Sequence, residues 1–423
     1  MRGLRDSAYA GAVDPALDGD GALVDLDLQL PLGELAAAEA AGRDVLLTGA
    51  TGYLGAFLLQ DLLAVTTGRV YCLVRAADEA TAMERLRATA EKFGLPAPDP
   101  DRVHPVPGDL RGIGAVCASY RSGELATRVG HVLHCGAKVV FTEPYREIRH
   151  DNVLPLVELL VWMRGHGIRD ISFISTVAAT APAVGADGRH LETRDQALDP
   201  QLGGYGASKW ASERLLERAE QDGMRVRVFR PGMIMASSRS GACNDKDLIW
   251  HSLASGLAVG AHPEDDRAMP MSPVDVLSRA VVELAVSPAS VARVYHLVDE
   301  RSLSMRQLFE LLAEAGLPTR AVPLREWQAL IADRALATGS AVLGATALYE
   351  LEGHELAEDG VQARGWQSWL RRRRLSPAIT AEQLRAGLTH LAGRVDEIAR
   401  LLPDLAAGAA SGTELARSGY GNG

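Results

Sequence analysis

Three glycines spaced three residues apart separate two apolar runs near the start of the chain. The first run, Asp44–Thr48, is typical of a buried strand, and the second, Leu54–Val65, has the pattern of an apolar helix. Between them lies Gly49-Ala50-Thr51-Gly52-Tyr53-Leu54-Gly55. A glycine turn between a strand and a helix lets backbone N–H groups approach a pyrophosphate at the helix N-terminus. The predicted dinucleotide-binding residues are Gly49, Thr51, Gly52, Tyr53, Leu54 and Gly55.

Short apolar runs continue to alternate with helical patterns over the first 300 residues. This alternation predicts an α/β fold, a Rossmann-type doubly wound parallel sheet with helices on both faces. We expect the dinucleotide-binding domain to cover residues 41–236, with residues 270–300 returning to the sheet. The further predicted strands are Arg69–Arg75, Val103–Val106, His131–Cys135, Asp170–Ser175, Arg225–Arg230 and Val294–Val298.

Beyond about residue 300 the strand patterns stop and helical ones take over. Ser304 with Gln307, and Thr380 with Gln383, each fit a capping box, the pair of reciprocal hydrogen bonds that begins many helices. A mainly helical C-terminal subdomain is therefore predicted. The remaining predicted segments are a leader or linker over 1–40, the helical subdomain over 237–269 and 301–405, and a flexible tail over 406–423.

Charge and composition exclude several functions. The net charge of −10 argues against nucleic-acid binding, since a surface that binds phosphates is basic. The four cysteines have no metal-ligand spacing, so we expect reduced thiols and no metal. No apolar run has the length of about 20 residues that crosses a membrane, and the first residues lack the apolar core of a signal peptide. We predict a cytoplasmic protein, with a monomer favoured.

Tyr205 and Lys209 stand four residues apart, so they share one face of a predicted helix. An ammonium beside a phenol favours the phenolate, and we expect Lys209 to lower the pKa of Tyr205. Such a phenol exchanges a proton with a carbonyl oxygen during hydride transfer. Thr176 directly follows Ser175 at the end of the fifth predicted strand, where its hydroxyl either hydrogen-bonds that oxygen or caps a helix. These three residues are the predicted catalytic set.

The second predicted strand ends at Arg75, where an NAD site usually has an acidic residue for the ribose 2′-hydroxyl. An arginine suits a 2′-phosphate, and Arg85 on the next helix is placed to supply a second arm. The alternative for both arginines is an ordinary solvated position. NADPH is the predicted cofactor.

Three other strand ends lie close to the predicted site. Asp109 and Leu110 follow the third strand, and Asp109 either meets the adenine or is a simple turn residue. Pro231 and Gly232 follow the sixth strand and are expected beside the nicotinamide. His134 ends the fourth strand, and we favour a structural role for it over a functional one.

With these residues the chain resembles an extended short-chain dehydrogenase/reductase. More narrowly, it resembles the thioester reductase domains that end nonribosomal peptide and polyketide synthetases, and those of carboxylic acid reductases. The resemblance covers about residues 41–300. The Gly-Thr that often follows Asn-Val in the family is replaced by Leu154-Pro155-Leu156, which leaves the start of that helix open. The motifs that carry the narrower resemblance are Thr48–Gly55, Leu73–Arg75 with Arg85, Gly108–Leu110, Tyr145 with Asn152-Val153, Ser175–Val177, Tyr205–Trp210 with Glu213, and Asn244–Asp247.

The resemblance implies that Thr176, Tyr205 and Lys209 form a catalytic triad, and that two arginines, Arg75 and Arg85, hold the 2′-phosphate. It implies that Tyr205 and Lys209 are cofactor-binding residues as well, with Lys209 on the nicotinamide ribose. It also implies NADPH-dependent reductive release of an acyl or peptidyl thioester from the phosphopantetheine arm of a carrier protein. The product would be an aldehyde, or an alcohol after a second cycle. The helical subdomain would then cover the acyl chain and receive the carrier protein.

Three questions stay open at this point. Arg371–Arg374 is either a docking patch for an acidic carrier protein or a solvated helix end. A nucleotide-sugar epimerase or dehydratase shares the cofactor fold and the Tyr/Lys pair, although such enzymes commonly hold NAD, which Arg75 disfavours. A non-enzymatic NADP-sensing regulator is the third function, but it does not need a proton donor at Tyr205.

Overall fold

The chain forms two compact units. In the computed structural model, unit 1 comprises residues 1–232, 278–297 and 361–369, and unit 2 comprises residues 233–277, 298–360 and 370–423. The residues that the structure describes are 17–37, 42–179, 191–194, 198, 202–287, 290, 294–299, 302–348 and 362–412.

Eleven strands lie within the described residues, and the four short ones β7, β8, β9 and β11 were not predicted from the sequence. The strands are β1 (Asp44–Thr48), β2 (Val70–Val74), β3 (Val103–Pro107), β4 (Val129–His134), β5 (Asp170–Ile174), β6 (Arg225–Pro231), β7 (Met233–Met235), β8 (Ala261–Pro263), β9 (Met271–Pro273), β10 (Val294–Leu297) and β11 (Arg320–Val322).

Helices make up most of the rest of the described chain. They are α1 (Leu17–Leu28), α2 (Tyr53–Val65), α3 (Glu79–Lys92), α4 (Ile113–Ser119), α5 (Glu124–Arg128), α6 (Tyr145–Asn152), α7 (Leu154–Gly165), α8 (Gly204–Gln221), α9 (Leu248–Val259), α10 (Val274–Val286), α11 (Met305–Glu314), α12 (Leu324–Thr338), α13 (Ala341–Leu348), α14 (Arg364–Arg373), α15 (Ala381–Ala392), α16 (Asp396–Leu401) and α17 (Pro403–Gly412).

A seven-stranded sheet with the order β3-β2-β1-β4-β5-β6-β10 forms the centre of unit 1. All neighbouring strands run parallel. Every residue of β1 and β2 is buried, as expected where helices cover both faces of a sheet. The predicted Rossmann-type α/β fold is therefore confirmed. The strand order reverses between β1 and β4, the switch point at which ligands bind in this class of sheet.

The segment predicted as a leader is folded onto unit 1, so that prediction is wrong for residues 17–37. Val24, Asp27 and Leu32 are buried. The Asp27 carboxylate accepts hydrogen bonds from the Tyr145 hydroxyl and from Arg149 Nε, both at 2.7 Å. The apolar residues of α1 are interspersed with two glycines and four aspartates, which is why the composition resembled a linker.

A second contact fixes the chain just after α1. The Arg164 guanidinium donates to the Gly33 carbonyl oxygen from Nη2 at 2.7 Å and from Nε at 3.0 Å. The backbone N–H of Ala36 donates to the Arg164 carbonyl oxygen at 2.9 Å. The segment is therefore held by both side-chain and backbone hydrogen bonds as far as Ala36.

Unit 2 is mainly helical, with its own core around Trp250, Phe309 and Trp327. At the start of α11, Ser304 and Gln307 form the predicted capping box with both reciprocal bonds. At α15 only half of the prediction holds, because the Gln383 amide donates to the Ala236 carbonyl oxygen instead. That backbone carbonyl lies far away in sequence, so no local pattern indicates the contact.

Two boundaries after residue 300 differ from the predictions. β11 lies where no strand was expected, and Arg320 pairs with Ala261 of β8 in parallel. A strand of three residues is too short to produce an alternating pattern. The first part of the predicted tail is helical, because α17 extends to Gly412, and residues 413–423 lie outside the described residues.

Two further observations concern the described residues only. None of their helices combines the length and the apolar character needed to cross a bilayer. No group of three or more His, Cys, Asp or Glu side chains there is arranged to hold a metal ion.

Candidate active site

The glycine turn after β1 lets the backbone of the turn pack closely against the backbone after β4 and against the start of α2. Gly49 has a φ of +79°, and a Cβ there would lie 2.8 Å from the Gly136 nitrogen. A Cβ at Gly55 would lie 1.9 Å from the Gly49 carbonyl oxygen, so no larger residue fits this position. Helix α2 begins at Tyr53, and its N-terminus has no side-chain cap. A helix N-terminus closely approached by a glycine turn fits a pyrophosphate, which supports a dinucleotide here.

The other predicted residues of this turn lie at the start of the same helix. Leu54 is buried and Thr51 is half-buried. The Tyr53 ring packs against Phe57 and Phe93, with ring centroids 5.6 Å and 5.1 Å away. The side chains of Leu54 and Tyr53 therefore belong to the packing of unit 1, and their backbone is the part that faces a phosphate site.

The structure brings Arg75, Arg85 and Asp109 together beyond the ends of β2 and β3. Arg75 Nε lies 3.9 Å from an Asp109 carboxylate oxygen, and the Arg75 side chain is 74% exposed. The Arg85 guanidinium donates to the Arg75 carbonyl oxygen. Asp109 also accepts a hydrogen bond from the Arg111 backbone N–H at 3.0 Å, so the turn role considered for it is present. The two predicted phosphate arms are neighbours.

His134 has the structural role that was favoured. Its Nδ1 lies 2.9 Å from Thr48 Oγ1, which also accepts the Gly136 backbone N–H at 2.9 Å. Burial lowers the pKa of His134 to about 3, so the imidazole is neutral. A Cβ on Gly136 would lie 2.8 Å from Leu110 Cδ1, which places Leu110 beside the end of β4.

Lys209 is buried next to the end of β5. Its Nζ donates to the Ile174 carbonyl oxygen at 2.8 Å, and the residue is only 3% exposed. The same nitrogen lies 4.7 Å from the centroid of the Phe173 ring and 6.0 Å from that of the Tyr205 ring. Burial lowers the pKa of Lys209 to about 8, because the charged form loses hydration.

The expected lowering of the Tyr205 pKa is wrong for this structure. Tyr205 is 8% exposed, and burial raises the pKa of its phenol above the ordinary value, with the neighbouring Cys135 adding to the rise. The charged phenolate loses its hydration at this buried position, and this desolvation is the larger cause of the rise. Tyr205 is therefore a neutral phenol that can donate a proton.

Thr176 lies two residues beyond Ile174 at the same strand end. Its Oγ1 accepts a hydrogen bond from the Ala178 backbone N–H at 3.2 Å, so the capping role considered for it is present. A hydroxyl that accepts in this way still has its own O–H to donate. Thr176 thus follows, two residues later in the chain, the residue whose backbone carbonyl accepts the Lys209 hydrogen bond.

A buried ion pair connects these segments and was not predicted from the sequence. Glu213 lies one turn after Lys209 on α8 and pairs with Arg230 through Oε1–Nε at 2.9 Å and Oε2–Nη2 at 2.5 Å. Ser175 donates to Glu213 Oε1 at 2.5 Å. Both members of the ion pair have 2% of their side chain exposed. The only sequence signal is the spacing of Glu213 four residues after Lys209.

The hydrogen bonds of Arg230 extend this network to His296 on β10. Arg230 Nη1 donates to His296 Nε2 at 3.1 Å, so His296 carries its proton on Nδ1, which donates to the Gln362 carbonyl oxygen at 2.8 Å. Arg230 is followed directly by Pro231, which is buried, and Gly232, which is half-buried. The end of β6 is thereby fixed relative to β5 and α8.

All predicted site residues lie in unit 1, whereas Arg371–Arg374 lie in unit 2. Arg371–Arg373 end α14, Arg374 follows directly after the helix, and all four side chains are exposed. Unit 2 also has an open groove of about 290 Å³, with Asp299, Glu310 and Glu314 among its lining residues. None of the predicted site residues lines this groove.

Comparison with known proteins gives one family. The family described as male sterility protein, an NAD-binding family, matches residues 47–281. That range contains the glycine turn, both phosphate-site arginines and the predicted catalytic residues.

Two curated relatives match most of the chain. One component of the linear gramicidin synthase of Brevibacillus parabrevis is 30% identical over 86% of this chain. Glycine betaine reductase of Emericella nidulans is 33% identical over 68% of it. This chain spans only 7% and 23% of the length of these two relatives.

A solved structure of a single domain matches most of the chain. The terminal R domain from the myxalamid polyketide–nonribosomal peptide pathway has a TM-score of 0.77 and is 28% identical; the match covers 88% of this chain and 97% of that domain. The UDP-glucuronic acid 4-epimerase of Bacillus cereus has a TM-score of 0.57 at 15% identity and shares the fold alone. The similarity is therefore greater to the R domain than to the epimerase.

Proposed function

The chain belongs to the male sterility protein family of NAD-binding domains, within the extended short-chain dehydrogenases/reductases of thioester reductase type, and from this membership we propose its reaction. It reduces an acyl or peptidyl thioester to an aldehyde with NADPH and releases the thiol. One arrangement supports the proposal most strongly. The neutral, buried Tyr205 lies on the same helix as Lys209, whose ammonium is bonded to the Ile174 carbonyl oxygen at the end of β5 in a dinucleotide-binding sheet.

The nicotinamide cofactor fits the turn after β1. Gly49, Gly52 and Gly55 allow the pyrophosphate to approach the N-terminus of α2. The choice of NADPH over NADH rests on Arg75 and Arg85, which offer two guanidinium groups, with Arg75 at the strand end where an NAD site usually has an acidic residue. A bound nicotinamide supplies the hydride for the reaction.

The protein's own groups act on the carbonyl oxygen. As the carbonyl carbon is reduced, negative charge develops on that oxygen, and hydrogen bonds from Tyr205 and Thr176 stabilise it. Tyr205 then gives up its proton, which yields a hemithioacetal that loses the thiol to leave the aldehyde. Lys209, fixed by the Ile174 carbonyl, provides a positive charge that favours the resulting phenolate.

The thioester is best supplied by a carrier protein. The matched R domain comes from a polyketide–nonribosomal peptide pathway, and a thiolation-reductase di-domain shares the fold of this chain. Thiolation domains carry their acyl group on a phosphopantetheine arm. The exposed Arg371–Arg374 run offers positive charge for an acidic carrier protein, and replacing all four with glutamine tests this through the KM for the carrier-bound substrate.

NADPH oxidation with acyl-pantetheine thioesters tests the proposed reaction. We expect thioester-dependent oxidation by the wild type and a loss of at least about a hundred-fold in Tyr205→Phe, because general acid catalysis contributes that much. The control is Tyr120→Phe, which removes a hydroxyl bonded to the Pro105 carbonyl oxygen within unit 1. Product analysis separates aldehyde from alcohol. Turnover of a sugar nucleotide without any thioester reduction would instead identify an epimerase.

A further inference from the structure

Two large apolar side chains are exposed in the loop that contacts Tyr205 through Phe141. Phe141 is 45% exposed and Val139 is 58% exposed, although most large apolar residues of the described chain are buried. They lie in the loop between β4 and α6, at the same sheet edge as the glycine turn. The Phe141 ring meets the Tyr205 ring edge to face, with centroids 5.2 Å apart and an angle of 72° between the planes. Apolar surface thus continues outward from the proton donor.

This loop is held in place at its base. Asn152 accepts from the Lys138 backbone N–H at 2.8 Å and donates to the Lys138 carbonyl oxygen at 3.0 Å. The same Asn152 amide donates to Ser208 on α8 at 3.0 Å, one helical turn from Tyr205. Because the base is bonded to the helix of Tyr205, the position of Phe141 over the phenol is set by the fold.

The charged groups near the loop are already paired with one another. Lys138 Nζ lies 2.6 Å from Glu143 Oε1 and 3.7 Å from Asp151 Oδ2. The positive charge of Lys138 is therefore compensated. In the sequence, Val139 and Phe141 lie between the two members of the Lys138–Glu143 pair. The surface therefore offers a polar ligand no unpaired charge to bind, whereas a hydrocarbon would bury apolar area against it.

We propose that Phe141 and Val139 form the surface that receives the hydrocarbon part of the acyl chain nearest the thioester carbonyl. This inference rests on the proposed thioester reduction and narrows its substrate class to acyl groups that begin with an apolar segment. The carbonyl at Tyr205 is the reacting end, and the chain leaves it across the edge of Phe141. Phe141 is a specificity residue, because its contact is with the chain and with the ring of Tyr205.

The test is a chain-length series. Butanoyl, hexanoyl and octanoyl thioesters of pantetheine are compared for the wild type, Phe141→Ala and Phe141→Leu. We expect kcat/KM of the wild type to rise up to about four-fold per methylene, the equivalent of about 0.8 kcal/mol per buried CH₂. Phe141→Ala flattens this dependence and Phe141→Leu restores part of it. Val161→Ala, at an apolar position on α7 that is 40% exposed, is the matched control and keeps the wild-type dependence.

Binding without turnover separates this inference from the reaction on which it rests. The amide analogues, in which NH replaces the thioester sulfur, are titrated calorimetrically into the same variants. A chain-length dependence that is lost in Phe141→Ala supports the surface even if no thioester is reduced. Reduction by the wild type with equal chain-length dependence in Phe141→Ala overturns the surface and leaves the reductase function intact. Neither binding nor reduction with any chain overturns both.

Discussion

Lys209 Nζ and the carbonyl oxygen of Ile174 are 2.8 Å apart, joined by a hydrogen bond that ties helix α8 to the end of β5. The ammonium is thereby placed between the strand end that leads to Thr176 and the helix that carries Tyr205. Few lysines are this deeply buried, and the position has measurable consequences.

The buried Lys209 makes stability depend on pH. Its pKa of about 8 in the folded protein lies below the ordinary value of 10.5, so between these pH values the unfolded chain binds more protons at this residue. The free energy of unfolding of the wild type should therefore rise relative to Lys209→Met as the pH goes from about 8 to about 10.5, by up to about 3 kcal/mol. Urea denaturation across this range measures the difference. The exposed Lys246→Met is the matched control for removing a lysine, and a constant difference between wild type and Lys209→Met would contradict the assignment.

The Glu213–Arg230 pair should contribute strongly to stability. Glu213→Gln leaves the Arg230 guanidinium buried without its carboxylate, which costs about 3 to 5 kcal/mol. Chemical denaturation provides the measurement. The control is Arg225→Ala, which breaks the Arg225–Asp170 pair at a position where Arg225 is 62% exposed and should cost less than about 1 kcal/mol. Similar losses for both variants would show that burial of the pair does not matter.

Gly55→Ala should abolish cofactor binding and destabilise unit 1. Its Cβ would lie 1.9 Å from the Gly49 carbonyl oxygen, so the turn must move, at a cost of about 1 to 3 kcal/mol. Gly165→Ala, at the end of α7, has no atom within 4 Å of the added Cβ and should leave both properties unchanged. NADPH fluorescence titration and thermal denaturation give the readouts. A Gly55→Ala variant that binds NADPH like the wild type would remove the glycine turn from the cofactor site.

Arg75→Ala should weaken NADPH far more than NADH. The hydrogen bonds lost to the charged 2′-phosphate correspond to about 1.5 to 3 kcal/mol, or roughly ten- to a hundred-fold in Kd. NADH has no 2′-phosphate, so its binding loses none of these bonds. Arg87→Ala, at an exposed position on α3, is the matched control. Isothermal titration with both cofactors distinguishes the outcomes, and an equal weakening of NADPH and NADH would contradict a role in 2′-phosphate binding.

The sheet could be predicted from the sequence because its strands are short, apolar and covered on both faces. Val70–Val74, for example, lies inside the predicted Arg69–Arg75, and the glycine turn marked the start of α2. The proximity of Arg75 and Arg85 to each other was also predictable, because both lie within ten residues of the end of the same strand.

Other features depend on contacts between residues that are distant in sequence. The pKa of Tyr205 follows from how completely the folded chain excludes water, and the spacing of Tyr205 and Lys209 contains no information about that. Similarly, Arg230 and Glu213 are separated by a helix end and a strand, so their pairing is visible only after folding. The contact between Phe141 and Tyr205 is of the same kind.

The contact of Asp27 with Tyr145 and Arg149 bears on any attempt to fuse or excise this domain. A cut placed just before β1, where the sequence first suggests order, would leave a buried hydroxyl and a guanidinium of α6 without their acceptor. The last residue of that helix is Asn152, whose amide bonds to Ser208 on the helix of Tyr205. A junction placed between α1 and β1 would therefore disturb the helix that positions Tyr205. A fusion partner is better attached upstream of Leu17.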